Sequence, residues 1–200
     1  MDISEAYIQT ARRYIPHAQI VFDRFHVRKL VSDAVDETRR EEWRRLKKIS
    51  SEAAAEIKGL RYPLLKNPWN LSAEQSDRLS DLQKDNARLY RAYLLKERFA
   101  SILDRRQPNV AKKKLKNWIS WACRSRLLAF VKTARTIRKH LDDIVAYVRF
   151  RFTNSTAEGL NNTVRLLTRR AYGFHSAEAV IGMVMLCCTG IQLSPVLKTL

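Results

Sequence analysis

Hydrophobic positions recur at helical spacing along most of the chain. From Val27 to about Ile57 they predict one long charged helix or two shorter ones, ended by Gly59. The residues expected on the inner side of this segment are Val27, Val31, Ala34, Trp43, Leu46 and Ile49. Prolines and asparagines in residues 61–70 favour a connecting loop, and Ser72 is a good N-cap for the helix that follows.

The same spacing predicts helices in the second half of the chain. A helix from about Ala73 is expected to stop before Pro108, with an inner side made of Leu79, Leu82, Leu89, Tyr90 and Tyr93. A later helix, running through about Tyr147, is predicted by the stripe Ile137, Leu141, Ile144 and Val148. The last helix follows a break at Gly173, with Ser176 as its N-cap, and is apolar nearly all round, so we expect it to be buried.

Two short segments have the pattern of strands instead. Residues 18–22 form an apolar run after Pro16 that predicts a buried strand, and residues 149–152 alternate like a strand at a sheet edge. Because ligands bind at the carboxyl ends of strands in open α/β sheets, Asp23 is a candidate site residue. The alternative is that Asp23 only caps the next helix. His26, three residues later, could share a metal with Asp23 or hold its carboxylate in place.

A third polar pattern lies near the carboxyl end of the chain. Glu158, Asn162, Arg165 and Arg169 fall on one helical face, at steps of four, three and four. A carboxylate that can hold a cation, followed by arginines one and two turns later, suits a site that handles phosphate oxygens. The alternative is a capping box from Ser155 to Glu158 that opens a solvated helix.

Together these segments resemble the DDE transposases of bacterial insertion sequences, specifically the group typified by the ISL-three element. The matching residues are the run that ends in Asp23-Arg24-Phe25-His26-Val27 and the blocks at residues 153–154, 157–162 and 169–174. The basic helices between these blocks are also similar to those of the family. The resemblance therefore covers most of the chain.

The resemblance implies site residues and cofactors. In the family, three carboxylates on an RNase H-like catalytic fold bind two magnesium ions for cutting and joining DNA. Asp23 matches the second of these acids and Glu158 the third, so both are expected to be catalytic and to bind Mg²⁺ or Mn²⁺. Arg165 matches a position that is usually lysine in the family and that contacts DNA phosphate. The neighbours that we also expect to bind DNA are Asn161, Asn162, Arg169 and Arg170.

It implies a fold class as well. The chain is expected to be mainly α, as the C-terminal portion of an RNase H-like α/β catalytic domain with a large all-helical insertion. Residues 27–150 would form that insertion, and residues 151–200 would supply the C-terminal catalytic helices.

One departure from the family pattern concerns activity. The family's first catalytic aspartate lies on a strand well before the segment of Asp23, whereas here only Asp2 and Glu5 precede Asp23, in a stretch that looks helical. We therefore expect a truncated, inactive transposase fragment, and whether it acts as an enzyme is left uncertain. The alternative is a non-catalytic basic helical remnant that binds DNA.

The charge balance agrees with a nucleic-acid partner. The chain has 38 Lys+Arg against 20 Asp+Glu, a net charge of +18. Residues 101–140 hold twelve of the basic residues and a single acid, Asp104. The candidate DNA contacts in this segment are Lys112, Lys113, Lys114 and Lys116, and the alternative is that they form a solvated face.

Two tryptophans, Trp118 and Trp121, are interleaved with these lysines. An exposed tryptophan could stack on an unpaired base. The residues Leu115, Trp118, Ile119 and Ala122 share one helical face, however, so we prefer a core role for both tryptophans over base stacking.

Localisation and partners follow from the remaining features. No signal peptide is visible, and the longest uncharged apolar run, residues 179–191, has thirteen residues, too few to span a bilayer. We therefore expect a cytoplasmic protein without a membrane partner. The expected partners are transposon ends and target DNA, and the sequence leaves open whether the chain also associates with itself or with another transposase chain.

Overall fold

The computed structural model describes residues 3–152 and 155–188, without the side chains of residues 155–157. Regular structure within these ranges is helical, which confirms the mainly α class. Two compact units are present, Met1–Phe152 and Thr153–Leu200. The first unit contains the helices α1 (Glu5–Tyr14), α2 (Arg24–Lys47), α3 (Ser51–Gly59), α4 (Arg61–Leu65), α5 (Ala73–Asp85), α6 (Ala87–Leu103), α7 (Pro108–Arg124), α8 (Leu128–Lys139) and α9 (Leu141–Phe150). The second contains α10 (Ser155–Arg170) and α11 (Ala177–Cys188).

The core of the first unit forms around α2 and α7. Helix α2 packs on α3, α4, α6 and α8, and α7 packs on α6, α8 and α9. Phe99, Trp118 and Phe130 are fully buried where these helices meet. Burying a side chain of this size contributes roughly 1.5–3 kcal/mol, so the apolar faces that the sequence displays at helical spacing hold the unit together.

Helix α2 also buries charged groups. Asp36 accepts hydrogen bonds from Arg39 at 2.7 Å and from Arg40 at 2.5 Å. Burial alone would raise the pKa of Asp36, and these two guanidinium groups outweigh it, so the pKa lies below its ordinary value. The buried carboxylate therefore stays ionised inside its own helix.

The strand predicted for residues 18–22 is wrong. These residues are irregular backbone between α1 and α2, although Ile20 and Phe22 are buried as the pattern indicates. A strand needs a neighbour to take its backbone hydrogen bonds. Residues 3–152 and 155–188 contain no strand that could serve as this neighbour. The apolar side chains are therefore buried here without sheet pairing.

The strand predicted for residues 149–152 is wrong as well. Helix α9 continues through Phe150, and Arg151 then adopts a left-handed conformation with φ 57°. The guanidinium of Arg151 donates to the backbone oxygens of Leu103 and Arg105. Contact with the end of α6 thus decides the conformation of a segment whose alternation favoured a strand.

The segment from residue 27 to residue 70 follows the prediction in part. Two helices, α2 and α3, confirm the second of the alternatives, and Gly59 ends α3. Ile49 was assigned wrongly to the inner side, because α2 ends at Lys47 and Ile49 lies in the turn, 73% exposed. The expected loop over residues 61–70 contains the short helix α4 and a 3-10 turn, Pro68–Asn70.

Two predicted helices are each interrupted. Ser72 caps α5 in a capping box with Gln75, but the chain breaks at Asn86, whose side chain accepts from the backbone of Leu89 and caps α6. His140 similarly separates α8 from α9. The apolar spacing continues across each break, which is why periodicity alone did not reveal it.

The second unit consists, in its described part, of α10 packed on α11. Ser176 accepts from the backbone N–H of Ala179 and caps α11, as predicted. Burial of the last helix is wrong for residues 177–188, where Ile181 is 59% and Met185 55% exposed. One helical neighbour can cover only one face of a helix that is apolar on all sides.

Candidate metal-binding carboxylates and nucleic-acid interface

Asp23 lies immediately before α2 and caps it. Its carboxylate accepts a hydrogen bond from the backbone N–H of Phe25 at 2.7 Å, and the residue is 6% exposed. The capping alternative is therefore confirmed as a structural role. The metal-binding role of Asp23 stays a prediction.

The neighbours of Asp23 fix its position in the first unit. Phe22 is fully buried with its ring edge-on to His140, at a centroid distance of 5.3 Å. Arg24 forms an ion pair with Asp104. His26 is half-buried and lies edge-to-face with Phe25, at a centroid distance of 5.4 Å. Its predicted role beside a metal stays a prediction.

Glu158 stands in the first turn of α10, exposed to solvent. It lines a shallow cavity of about 340 Å³ together with Asn161, Asn162 and Arg165. Three of these four residues were placed on one face by their spacing, and the structure brings them together. The Ser155 side chain of the proposed capping box lies outside the described residues.

Arg169 and Arg170 lie in the last turn of α10, and both side chains are exposed. Neither lines the cavity at Glu158. They extend the basic surface of this helix by one turn toward its carboxyl end. Their predicted contact with DNA stays a prediction.

The donors at Glu158 match a hard cation in kind. Magnesium binds carboxylate and carbonyl oxygens, and Glu158 has two side-chain amides beside it. Across residues 3–152 and 155–188, however, no three His, Cys, Asp or Glu residues are grouped so that they could hold a metal. Asp23 and Glu158 belong to different units, and the convergence expected of them stays a prediction.

The four candidate lysines of α7 have different surroundings. Lys112 forms an ion pair with Asp142 of α9 at 2.6 Å. Lys113 and Lys116 are exposed, and neither pairs with an acid in the part of the chain that the structure describes. Lys114 lines a groove between α6 and α7. The structure therefore separates one neutralised lysine from three available ones.

The two tryptophans of α7 also differ in how deeply they are buried. Trp118 is 2% exposed, donates from its ring nitrogen to the backbone oxygen of Leu95 at 2.8 Å, and packs on Phe99. Its core role is confirmed. Trp121 is half-buried and packs against the same core, which confirms its core role in part, and it also lines the groove with Lys114.

Two basic residues near this groove were not identified from the sequence. Arg98 lies on α6, and Arg105 follows the end of α6, whereas Lys114 lies on α7. Helix packing brings Arg98 and Arg105 close enough to Lys114 to repel its charge. The scarcity of acids over residues 101–140 includes Arg105 but not Arg98, and it does not indicate which cations meet.

Comparison with known proteins identifies the family. A family model described as "Transposase", of the ISL-three-type DDE group, matches residues 1–184. The chain belongs to this family, and the resemblance drawn from its motifs is confirmed. No solved structure matches the chain.

Two curated relatives are transposases of insertion sequences. The chain is 35% identical over 195 residues to "Transposase for insertion sequence element IS1557" of Mycobacterium tuberculosis, covering 88% of this chain and 44% of that protein. It is 31% identical over 179 residues to "Transposase for insertion sequence element IS1001" of Bordetella parapertussis, covering 89% and 44%. The chain thus spans less than half the length of these relatives.

None of the described helices combines the length and the apolar composition needed to cross a membrane.

Proposed function

We propose that the chain contributes Asp23 and Glu158 to the metal-binding centre of a DNA transposase. The observation that carries this proposal is the cavity on α10, where Glu158 meets two amides and Arg165 in a member of the transposase family. Carboxylate, amide and guanidinium groups together match a phosphodiester held beside a cation.

The roles of the residues follow from their chemistry. Magnesium or manganese, when bound, stabilises the attacking and leaving oxygens of an in-line displacement at phosphorus. Asp23 and Glu158 would hold the metal on an RNase H-like catalytic fold. Arg165 would bind non-bridging phosphate oxygens, while Asn161 and Asn162 would orient the strand.

The basic residues would bind DNA over a wider surface. Lys113, Lys114 and Lys116 on α7, with Arg169 and Arg170 on α10, carry charge that phosphate groups can neutralise. The partners proposed are transposon ends, target DNA and a further transposase chain. We propose a cytoplasmic location, where DNA and magnesium are present.

We expect the 200-residue chain alone not to cleave or join DNA. Two-metal chemistry needs carboxylates that flank both ions, and Asp23 and Glu158 supply only two. Before Asp23 the acids are Asp2 and Glu5, and Glu5 forms an ion pair with Lys139 at 2.8 Å. Glu5 is therefore engaged in joining α1 to α8.

Titration calorimetry with manganese tests the shared site. Wild type should bind weakly, and both Asp23→Asn and Glu158→Gln should abolish the heat, because a hard cation needs about six oxygen ligands and tolerates few losses. Glu178→Gln is the matched control, since Glu178 is an exposed carboxylate in the first turn of α11. Equal heats for wild type and both site variants would overturn the proposal.

A non-catalytic DNA-binding remnant is the second candidate. It is favoured by the exposed Lys113 and Lys116 of α7, whose charge can bind phosphate without a metal. Nicking of supercoiled plasmid with manganese separates the two: a remnant gives none under any condition. Nicking that appears once a transposase segment with a third carboxylate is added, and that Glu158→Gln removes, supports the catalytic role.

A further inference from the structure

Helices α6 and α7 enclose a groove on the surface of the first unit. Its walls are Arg98 from α6 and Lys114, Asn117, Trp118 and Trp121 from α7, and they bound a cavity of about 230 Å³. Arg98 and Asn117 are exposed at its edges, while Trp118 closes its floor. The groove thus offers cationic and amide donors above an aromatic base.

Positive charge accumulates here without neutralisation. Repulsion from Arg105, then burial, then repulsion from Arg98 lower the pKa of Lys114 below its ordinary value. Within the part of the chain that the structure describes, no acid pairs with any of these three cations. The two acids closest in sequence are engaged elsewhere, Glu97 with Lys96 and Asp104 with Arg24.

The packing beneath the groove keeps these cations together. Trp118 is fixed by its hydrogen bond to the backbone of Leu95 and by ring contact with Phe99 at 4.8 Å. Arg151 binds the backbone oxygens of Leu103 and Arg105, which holds the segment after α6 in place. The site therefore keeps like charges adjacent at an energetic cost, which an anion would relieve.

We propose that this groove binds a phosphodiester of the DNA backbone, with Arg98 and Lys114 around the phosphate and Trp121 beside the sugar. The proposal rests on the DNA-binding function and adds a defined subsite to it. A guanidinium group can donate two parallel hydrogen bonds to two phosphate oxygens, and Asn117 adds a neutral donor. The half-buried indole of Trp121 gives an apolar surface that a free inorganic anion would not use.

Fluorescence anisotropy of a labelled DNA duplex, measured across salt concentrations, tests this subsite. The variant Arg98→Gln/Lys114→Gln should bind about tenfold more weakly and lose about one unit from the slope of log affinity against log salt. The matched control is Arg44→Gln/Lys48→Gln, which removes one Arg and one Lys that are exposed away from the groove. The control should change affinity by about threefold or less and keep the slope.

The outcomes distinguish this proposal from the function on which it rests. Wild type that binds no DNA overturns both. Wild type that binds normally, with equal losses in the two variants, overturns the subsite alone, because net charge then explains the effect. The variant Arg98→Lys/Lys114→Arg should bind DNA with the affinity and salt slope of wild type, because it keeps both charges on long side chains. This result supports the subsite.

Two further probes identify the ligand chemistry. Inorganic phosphate should displace DNA only at high concentration, and polyglutamate should bind wild type and the groove variant equally. If polyglutamate depends on Arg98 and Lys114 as strongly as DNA does, the groove is a general acidic-polymer site and the phosphodiester proposal fails. Quenching of tryptophan fluorescence by DNA should also shrink in Trp121→Phe.

Discussion

Glu42 and Asn86 are joined across two helices by a hydrogen bond of 3.1 Å, with the amide of Asn86 as donor and the carboxylate of Glu42 as acceptor. Glu42 is 1% exposed and also accepts from Arg45 and Arg88. Asn86 at the same time caps α6 through the backbone of Leu89. The end of α2 is thereby tied to the start of α6.

Loss of the Glu42 carboxylate should destabilise the first unit. In Glu42→Ala the buried Asn86 amide has no acceptor, whereas Arg45 and Arg88 are partly exposed and regain water. We expect a loss of about 2–3 kcal/mol, measured by urea denaturation followed by helical circular dichroism. Glu37→Ala, an exposed carboxylate of the same helix, should change stability by less than about 0.5 kcal/mol. Equal effects would show that Glu42 is not a structural tie.

The lysines of α7 should differ in their contribution to DNA binding. Lys112→Gln should weaken DNA binding least, because Lys112 already pairs with Asp142. In the variant, water solvates the exposed carboxylate of Asp142. Lys113→Gln and Lys116→Gln should each weaken binding by a few fold and lower the salt dependence by about one phosphate contact. Anisotropy titrations measure all three, and the order reverses if the Lys112–Asp142 pair opens on binding.

Asp23 allows its structural role to be separated from the proposed metal role. Asp23→Ala should destabilise the first unit by about 1 kcal/mol, because the backbone N–H of Phe25 loses its acceptor. Asp23→Asn should preserve stability, since asparagine caps helices equally well, while it abolishes manganese binding. Thermal denaturation and calorimetry on the same samples check both parts. An intact manganese signal in a stable Asp23→Asn protein would leave Asp23 as a cap alone.

His140 should make stability depend on pH. Burial, followed by the charge of Lys139, lowers the pKa of His140 in the folded state below its ordinary value. The unfolded chain therefore takes up the proton first as the pH falls, so stability is full above about pH 6.5 and declines below it. Asp143 and Glu5 partly offset this shift, and Arg12 adds to it.

The measurement is the melting temperature of the first unit between neutral and mildly acidic pH. His140→Leu should flatten this dependence at little cost near neutrality, because Nδ1 of His140 has no hydrogen-bond partner among the described residues. The comparison should stop above about pH 5, since burial raises the pKa of Asp143 and its titration acts with the opposite sign. An unchanged pH profile in the variant would assign the dependence to other groups.

Tyr172 should be replaceable by glycine with a gain in stability. Helix α10 ends in a Schellman arrangement, with the N–H of Gly173 bound to the oxygen of Thr168 and that of Tyr172 to Arg169. Tyr172 is fully exposed and has φ 52°, a left-handed conformation that costs a residue with a side chain about 1 kcal/mol. Tyr172→Gly should slow amide hydrogen exchange in the last turn of α10. Gly173→Ala, at φ 106°, should act in the opposite direction.

Local features of the structure could be predicted from the sequence. The apolar spacing identified the buried faces of α2, α5 and α6, and single polar residues identified caps, as at Ser72 and Ser176. These depend on residues three or four positions apart, whose geometry a helix sets by itself. The same local logic grouped Glu158 with Asn162 and Arg165, and the motif around them was enough to identify the family.

Features that depend on distant residues were decided by the tertiary structure. Residues 18–22 have the composition of a strand but gain their burial by packing, as Phe22 does on His140. Lys112 and Lys114 look equivalent in sequence, yet one is neutralised by Asp142 and the other stands among like charges from Arg98 and Arg105. Charge interactions act through space, so which cations remain available to a phosphate is determined only when α6, α7 and α9 pack together.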